Sequence, residues 1–261
     1  MRVATQSLYD NITDELGNIT EELTQANKVV VTGKRINSLS DDPVGFNMVL
    51  DLRSALSNIE QLNRNISMGR TWLNSAESVL NTISDLVVNA KTLCVQMSTA
   101  TTGSDERHSA AVTVENLLEE LTSLANTNIS GRYIFSGSKT DTAPFEIDGA
   151  YNGDSNPFSV KVGKNTNVEV RREGQTVFGT QGTADDIFKT LTDLKTALES
   201  DDISGIQDQM GRLDNHFDHI NTVISDTGQK EIRFDIRERI INDLNLAHTE
   251  RMSKIEDADM V

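Results

Sequence analysis

An apolar or small residue recurs at every third or fourth position from Ile59 to Met97, and this series constrains the fold more than any other feature. Its members are Ile59, Leu62, Ile66, Gly69, Leu73, Ala76, Leu80, Ile83, Val87, Ala90, Cys94 and Met97. This period places all of them on one face of an α-helix. At 1.5 Å per residue, the helix would span roughly 60 Å. Because such a helix does not fit inside a compact sphere, the pattern predicts a rod.

A second apolar stripe runs through residues 1–32, while acidic residues and a lysine occupy the opposite face. The stripe consists of Leu8, Ile12, Leu16, Ile19, Leu23, Ala26 and Val30. This spacing is close to a heptad repeat and predicts a helix. Because isolated helices are marginal in water, we expect this one to need a partner helix.

The stretch NSLSDDPVGF, Asn37 to Phe46, separates the two stripes. Gly33 stands where a helix C-terminus favours glycine. Asp42 suits the N-cap of the next helix and Pro43 suits its first position. Asp41 and Asp42 could also be read as a catalytic pair of carboxylates, but the neighbouring proline and helix start favour the cap. The stretch is therefore predicted to be an irregular joint between two helices.

Further helices are predicted on either side of residue 150. Gly103 breaks the chain, Ser104 or Asp105 caps a third helix, and Gly131 closes that helix. Thr183 and Asp186 are predicted to form a capping box before the next helix. A seam of seven apolar residues follows, which Thr227-Gly228 is expected to interrupt before a last charged helical stretch. The seam is Ile203, Ile206, Met210, Leu213, Phe217, Ile220 and Ile224.

Residues 133–182 have a different composition, rich in aromatic residues and turn signals. The segments FSVKV and NVEV alternate apolar and polar residues, and the five-residue link Gly163–Asn167 between them suits a hairpin. The predicted fold is thus mainly α: an elongated antiparallel helical bundle or coiled-coil rod with a small β-rich inserted domain. We divide it into an N-terminal helix with the joint (1–42), a first rod half (43–132), the insert (133–182) and a second rod half (183–261).

Charge and composition exclude several classes of partner. The net charge of −16 argues against nucleic acid and anionic lipid as partners. No apolar run approaches the ~20 residues that span a bilayer, and residues 1–15 lack the apolar core of a signal peptide. A single cysteine excludes an intramolecular disulfide.

The sequence offers little catalytic chemistry. The common phosphate-binding, dinucleotide-binding and nucleophile-elbow motifs are absent. His216 and His219 could supply two metal ligands, but a site needs three or four, so we expect surface histidines beside the seam. Cys94 lies in the long seam and is expected to be a small buried hydrophobe rather than a reactive thiol. We therefore predict no enzymatic activity, no metal and no cofactor.

Two segments carry a resemblance to a known family. TGKRINSLSDDPVGF, Thr32 to Phe46, resembles the N-terminal signature of the flagellin superfamily, where a terminal helix meets a long rod helix. GRYIFSGSKTDTAPFEI, Gly131 to Ile147, is similar to a segment typical of the superfamily branch that joins the flagellar hook to the filament. The resemblance covers nearly the whole chain. It implies a structural subunit of the bacterial flagellum that forms this junction.

The resemblance also implies partners and a location. Such subunits contact copies of themselves and neighbouring axial proteins, namely another hook-associated protein and flagellin. They are exported to the extracellular flagellum without a cleavable signal peptide, and an export chaperone is expected to bind near the C-terminus. On this basis we assign the inner assembly contacts to part of the N-terminal stripe: Leu8, Ile12, Leu16, Ile19 and Leu23.

Ser253 to Val261 resembles the stretch that enters the C-terminal helix of the superfamily, so we expect the natural chain to continue. Two other functions stay open at the level of the sequence. The chain could be a filament flagellin, or it could be a cytoplasmic coiled-coil adaptor or signalling rod. The β-rich insert and the joint argue against the signalling rod.

Overall fold

The computed structural model describes residues 2–99, 101–156, 158–171 and 173–259, without the side chains of residues 2–8 and 171. Helices predominate, as predicted, and the named strands of the described residues form two short antiparallel pairs. The elements are α1 (Arg2–Thr32), α2 (Pro43–Met97), α3 (Ser104–Ala125), β1 (Asn128–Ile129), β2 (Arg132–Tyr133), β3 (Phe158–Gly163), β4 (Thr166–Arg171), α4 (Gly174–Phe178), α5 (Ile187–Glu199) and α6 (Ile203–Glu256).

The chain divides into two compact units. Unit 1 comprises residues 1–61 and 240–261, and unit 2 comprises residues 62–239. Unit 1 holds α1 and the joint, together with the start of α2 and the end of α6. Unit 2 holds the insert, α3 to α5 and the remaining lengths of the two long helices.

The seam along α2 is buried as its period predicts. Ile66, Leu80 and Ile83 are among the largest fully buried side chains, and Cys94 is buried as expected. The Cys94 thiol donates to the carbonyl oxygen of Ile206 at 3.0 Å. Burial raises the pKa of this thiol to about 11, so it stays protonated and unreactive near neutral pH.

Close packing explains why a glycine, Gly69, occupies a position in the α2 seam. A Cβ atom at Gly69 would lie 2.5 Å from the ring of Phe234, which is completely buried. The missing side chain therefore lets the aromatic ring approach the helix backbone. This contact explains why a residue that weakens helices occupies a seam position.

The predicted interruption of α6 at Thr227-Gly228 is wrong, because α6 is continuous from Ile203 to Glu256. Thr227 is buried, and its hydroxyl donates to the carbonyl oxygen of Val223 at 2.9 Å within the helix. A Cβ atom at Gly228 would contact nothing within 4 Å, so this glycine serves no close approach. Burial of the flanking apolar residues outweighs the roughly 1 kcal/mol that one glycine costs a helix.

The turns differ from the predicted ones. The third helix ends at Ala125, not at Gly131, which instead adopts φ +79° in the tight turn between β1 and β2. The β3–β4 hairpin pairs Val160 with Val168, and its link is Lys164–Asn165, shorter than the predicted five residues. Local polar residues indicated both turns, but strand pairing determined where each one begins.

Two predicted helix caps are also different. Gly103 is the N-cap of α3, without a side-chain hydrogen bond, so neither Ser104 nor Asp105 has the predicted role. Asp186 alone caps α5, accepting from the backbone amides of Phe188 at 3.0 Å and Lys189 at 3.2 Å. The predicted box with Thr183 as the cap is therefore wrong.

A buried arginine stabilises the connection between α2 and α3. Arg107 is 3% exposed and donates to the carbonyl oxygens of Met97 at 3.1 Å and Thr99 at 2.9 Å. Its guanidinium also pairs with Asp201, in the turn between α5 and α6. The arginine thus satisfies carbonyls at the C-terminus of α2 and neutralises a carboxylate from another connection.

Aromatic rings form the core of the insert. The Phe145 ring lies 4.9 Å from that of Phe178 and 5.1 Å from those of Phe188 and Tyr151, measured between centroids. The Tyr151 hydroxyl accepts from the backbone amide of Gly174 at 3.0 Å. Because aromatic pairs at these separations contribute beyond their buried area, the cluster holds α4 and α5 together with little regular sheet.

His216 is not the surface residue that the sequence suggested. It is 5% exposed, and its Nε2 atom lies 2.9 Å from the hydroxyl of Thr190 on α5. Burial, followed by the nearby His219, lowers the pKa of His216 from 6.5 to about 4. The side chain is therefore a neutral member of the core between α5 and α6. His219, in contrast, is exposed, as predicted.

Acidification is expected to destabilise the protein through His216. The unfolded histidine binds a proton below pH about 6.5, whereas the folded one does so only near about 4. The stabilisation is complete above pH about 6.5 and is lost as the pH falls toward 4. Thermal melting should show a drop in Tm on the order of 5 °C across this window.

The variant His216→Gln should remove that component of the pH dependence, and the matched variant His108→Gln, on an exposed helix position, should retain it. The same melting curves give both comparisons. An unchanged slope in His216→Gln would contradict the assignment of this titration to His216.

Candidate functional site

The joint between α1 and α2 is built around Asp42. Its side chain accepts from the backbone amide of Gly45 at 2.9 Å, and its carbonyl oxygen accepts from that of Phe46 at 2.8 Å. Helix α2 begins at Pro43, as predicted. Asp42 is therefore the N-cap of α2, because its carboxylate satisfies a first-turn donor.

Asp41 organises the other half of the joint. Its carboxylate accepts from the backbone amides of Asn37 at 2.9 Å and Ser38 at 2.8 Å, and from the side-chain amide of Gln25 at 3.0 Å. These bonds, the one from Asn37 first, lower the pKa of Asp41 to about 2. Because Gln25 belongs to α1, Asp41 ties the helix to the joint. The two aspartates thus have separate structural partners.

Gly33 ends α1 in the left-handed conformation, with φ +69°. Its backbone amide donates to the carbonyl oxygen of Val29 at 2.8 Å, which completes the last turn. The conformation favours glycine because a Cβ atom would be strained there. The chain can thus leave the helix within one residue.

The end of α6 pairs with the joint through its backbone. The amides of Arg35 and Ile36 donate to the carbonyl oxygen of Glu256 at 2.8 and 3.2 Å. The amide of Ala258 donates to the carbonyl oxygen of Gly33 at 2.9 Å. Together with the bridge between Lys34 and Asp257, these bonds form a short two-stranded patch. The joint is therefore held by a segment more than two hundred residues away in the sequence.

Glu256 adds a charged clasp to this patch, which we define as Glu256, Lys34 and Arg53. Its side chain is 5% exposed, and Oε1 accepts from Lys34 Nζ at 2.6 Å and Arg53 Nη2 at 2.5 Å. A carboxylate in the last turn of a helix faces the negative end of the helix dipole. Two cations from the joint and α2 compensate for that position. The apolar periods of the sequence do not indicate Glu256, and the unfavourable position of its charge at a helix C-terminus is the one local sign of a partner.

The apolar stripe of α1 is exposed. Among the predicted assembly residues, Ile12, Leu16, Ile19 and Leu23 are 49%, 60%, 55% and 61% exposed, and the side chain of Leu8 lies outside the described residues. The α2 seam has the same spacing, but its members are largely buried. An exposed row of large apolar side chains on one helix face is typical of a surface that contacts another protein.

Other kinds of site find little support in the described residues. Within 2–99, 101–156, 158–171 and 173–259, no three His, Cys, Asp or Glu side chains gather in an arrangement suited to a metal ion. Over the same ranges, no helix combines the length and apolar character that crossing a membrane requires. His216 is buried in the core, whereas His219, three residues later, is exposed and its Nε2 atom lies 2.8 Å from the carbonyl oxygen of Thr176.

Comparison with known proteins connects this arrangement to the flagellum. The sequence profile of the bacterial flagellin N-terminal helical region matches residues 3–140. Flagellar hook-associated protein 3 of Escherichia coli (strain K12) is 27% identical over 99% of this chain and 89% of that protein. Flagellin of Listeria monocytogenes is 29% identical, over 49% of this chain and 44% of that protein.

A solved structure shares the fold. The flagellar junction protein of Legionella pneumophila superimposes with a TM-score of 0.65 at 18% identity, covering 79% of this chain and all of that one. At this identity the likeness concerns the fold alone. The mainly helical architecture with a small β-rich insert is therefore shared with that protein.

Proposed function

Because this chain belongs to the bacterial flagellin family, we propose that it is a structural subunit of the flagellum that forms the junction between the hook and the filament. The observation that carries the proposal is the match to a hook-associated protein along nearly the whole chain, insert included. Matches to filament flagellins extend over as much as 94% of this chain, but that match covers only 71% of the flagellin, at the lower identity of 24%. The junction is therefore favoured over the filament.

The exposed stripe of α1 supports a role in assembly. We propose that Ile12, Leu16, Ile19 and Leu23, together with Leu8, are covered by neighbouring subunits in the flagellum. Burying such side chains removes apolar area from water, and each contributes about 1.5–3 kcal/mol when fully covered. Assembly would therefore stabilise a helix that is marginal on its own.

The joint has a positioning role in this proposal. Gly33 ends α1, Asp41 ties it to the joint, and Asp42 with Pro43 starts α2. The clasp at Glu256 holds the joint against the end of α6. Hydrogen bonds on both sides of the joint thus define the direction of α1 within unit 1, so that the stripe is presented in a fixed orientation to the next subunit.

A subunit at the junction of the flagellar axis would contact the proteins on either side of it. We propose contacts with copies of this chain, with another hook-associated protein and with flagellin, and an export chaperone that binds near the C-terminus. The chain would be exported to the extracellular flagellum without a cleavable signal peptide. A structural role of this kind requires no catalysis, cofactor or metal.

Deletion of the gene tests the proposal. Electron microscopy of the mutant cells should show hooks without filaments, and immunoblots should find flagellin in the medium, because the filament would have no base to grow on. Restoring the unaltered gene should restore filaments. Mutant cells that carry normal filaments would overturn the proposal.

A further inference from the structure

We propose that Asn152 is a site of spontaneous covalent modification, at which the side-chain amide is lost after attack by the backbone nitrogen of Gly153. Asn152-Gly153 is the one Asn-Gly pair in the sequence. The reaction consumes only water, so it takes place in the isolated chain and does not depend on the proposed function. It places aspartate or isoaspartate in the insert without any change in the gene.

The reaction proceeds through a five-membered ring. The backbone nitrogen of Gly153 gives up its proton and bonds to Cγ of Asn152, and the bond from Cγ to Nδ2 breaks. Nδ2 takes up a proton and leaves as ammonia. Water then opens the cyclic imide at either carbonyl group, which yields aspartate or isoaspartate. Glycine permits the attack because it has no Cβ atom to obstruct the approach.

Both reacting groups are accessible in the structure. The side chain of Asn152 is exposed. Among the residues that the structure describes, no group accepts a hydrogen bond from the backbone amide of Gly153. The preceding amide, of Asn152, donates to the carbonyl oxygen of Pro144 at 2.8 Å, and the following one, of Asp154, donates to that of Ser136 at 3.2 Å. Because a hydrogen bond to the protonated form opposes loss of the proton, the nitrogen between them is the most reactive of the three.

Packing requires glycine at position 153. A Cβ atom there would overlap the ring and hydroxyl of Tyr151. The Tyr151 ring belongs to the aromatic core, with its centroid 5.1 Å from that of Phe145, and its hydroxyl accepts from the backbone amide of Gly174 at 3.0 Å. The residue that makes Asn152 reactive is thus one that the core of the insert cannot replace.

The modification is expected to loosen the loop formed by residues 144–152. Nδ2 of Asn152 donates to Oε1 of Glu146 at 2.9 Å, and an antiparallel bridge between Phe145 and Tyr151 closes the same loop. After loss of the amide, two carboxylates would face each other where this hydrogen bond had been. Isoaspartate would also lengthen the backbone by one carbon atom. Both changes oppose closure of the loop.

Other positions in the insert lack this combination of features. Asn165 is exposed in the turn of the β3–β4 hairpin, but the β-branched Thr166 follows it and obstructs the attack. Asp148 precedes a glycine in the same loop, but the backbone amide of Gly149 donates to the carbonyl oxygen of Glu146 at 3.0 Å. A carboxylate is also a poorer electrophile than an amide. We therefore expect slower ring formation at both positions.

Peptide mass spectrometry of the purified chain tests the proposal. After several days at mildly alkaline pH, the peptide that contains Asn152 should gain about 1 Da, because an NH2 group is replaced by OH. Part of this product should be isoaspartate, which electron-based fragmentation distinguishes from aspartate. The gain should be faster at higher pH, since the attacking nitrogen must lose its proton. The peptide that contains Asn165 is the matched control and should react severalfold more slowly.

The variant Asn152→Gln retains a side-chain amide, but its cyclisation requires a six-membered ring. The mass gain at this position should therefore disappear over the same period. An unmodified Asn152 peptide in the unaltered chain, or a mass gain at Asn152 no larger than that at Asn165, would overturn the proposal.

Hydrogen exchange measures the effect on the loop. The variant Asn152→Asp carries the charge of the product, and the backbone amide of Glu146, which donates to the carbonyl oxygen of Ala150 at 3.0 Å, should exchange faster. Loss of one hydrogen bond corresponds to an acceleration of about 2- to 13-fold. The matched variant Asn165→Asp adds the same charge to the hairpin turn and should leave this rate unchanged. Equal rates in the two variants would contradict the loosening of the loop.

Discussion

Replacing Leu16 and Leu23 with aspartate is expected to abolish filament attachment while leaving the isolated protein folded. Both leucines are about 60% exposed, so the folded chain loses little buried apolar area. In the assembled state the two carboxylates would have to be buried without partners, and the apolar contribution of about 1.5–3 kcal/mol per leucine would also be lost. Each 1.4 kcal/mol corresponds to a tenfold change in the assembly equilibrium.

Swimming in soft agar and flagellin in the medium measure the effect, and circular dichroism melting shows whether the fold is retained. A matched variant, Asn11→Asp with Asn18→Asp, adds the same two charges to exposed positions of α1 away from the stripe. It should swim normally. Equal swimming of both variants would show that the stripe does not mediate assembly.

Replacing Glu256 with alanine is expected to release the joint from α6. The substitution leaves Lys34 and Arg53 without their shared carboxylate. Because both side chains are partly exposed, water can solvate their charges and reduce the energetic cost. We expect the free energy of local opening to fall by about 2–3 kcal/mol, below the range for fully buried pairs. The backbone amides of Arg35 and Ile36 donate to the carbonyl oxygen of Glu256, and their hydrogen exchange should accelerate by about 30- to 140-fold.

The control is Glu250→Ala, which removes an exposed carboxylate from the same helix. Its exchange rates should match those of the unaltered protein. Exchange in unit 2 should remain unchanged in both variants, because the aromatic core there does not depend on the clasp. Uniform acceleration along the whole chain in Glu256→Ala would contradict a local role.

The helices were predictable because their signal is repeated along the chain. Twelve positions between Ile59 and Met97 all indicate the same face, so no single residue decides the outcome. The start of α2 at Pro43 was also predictable, since cap and proline act within one turn. Single features were less reliable: Thr227-Gly228 did not end α6, and Gly131 marks a hairpin turn rather than a helix end.

The candidate site was predictable in part. The stripe of α1 and the capping residues could be read from spacing and local chemistry. The exposure of the stripe could not be predicted. The apolar period is the same whether a helix packs within its own chain or against another subunit. Glu256 and Arg107 could not be found either, since their partners are distant in sequence.

By itself, the sequence determined where helices form, which faces are apolar, and that Asp42 and Pro43 start a helix, because these properties depend on neighbours within a few turns. The tertiary structure decided which apolar faces are covered, that His216 is a buried neutral residue, and that Glu256 clasps the joint. Those outcomes depend on contacts between segments up to 225 residues apart, as between Gly33 and Ala258. Such contacts arise only when the folded chain brings opposite charges and apolar surfaces together.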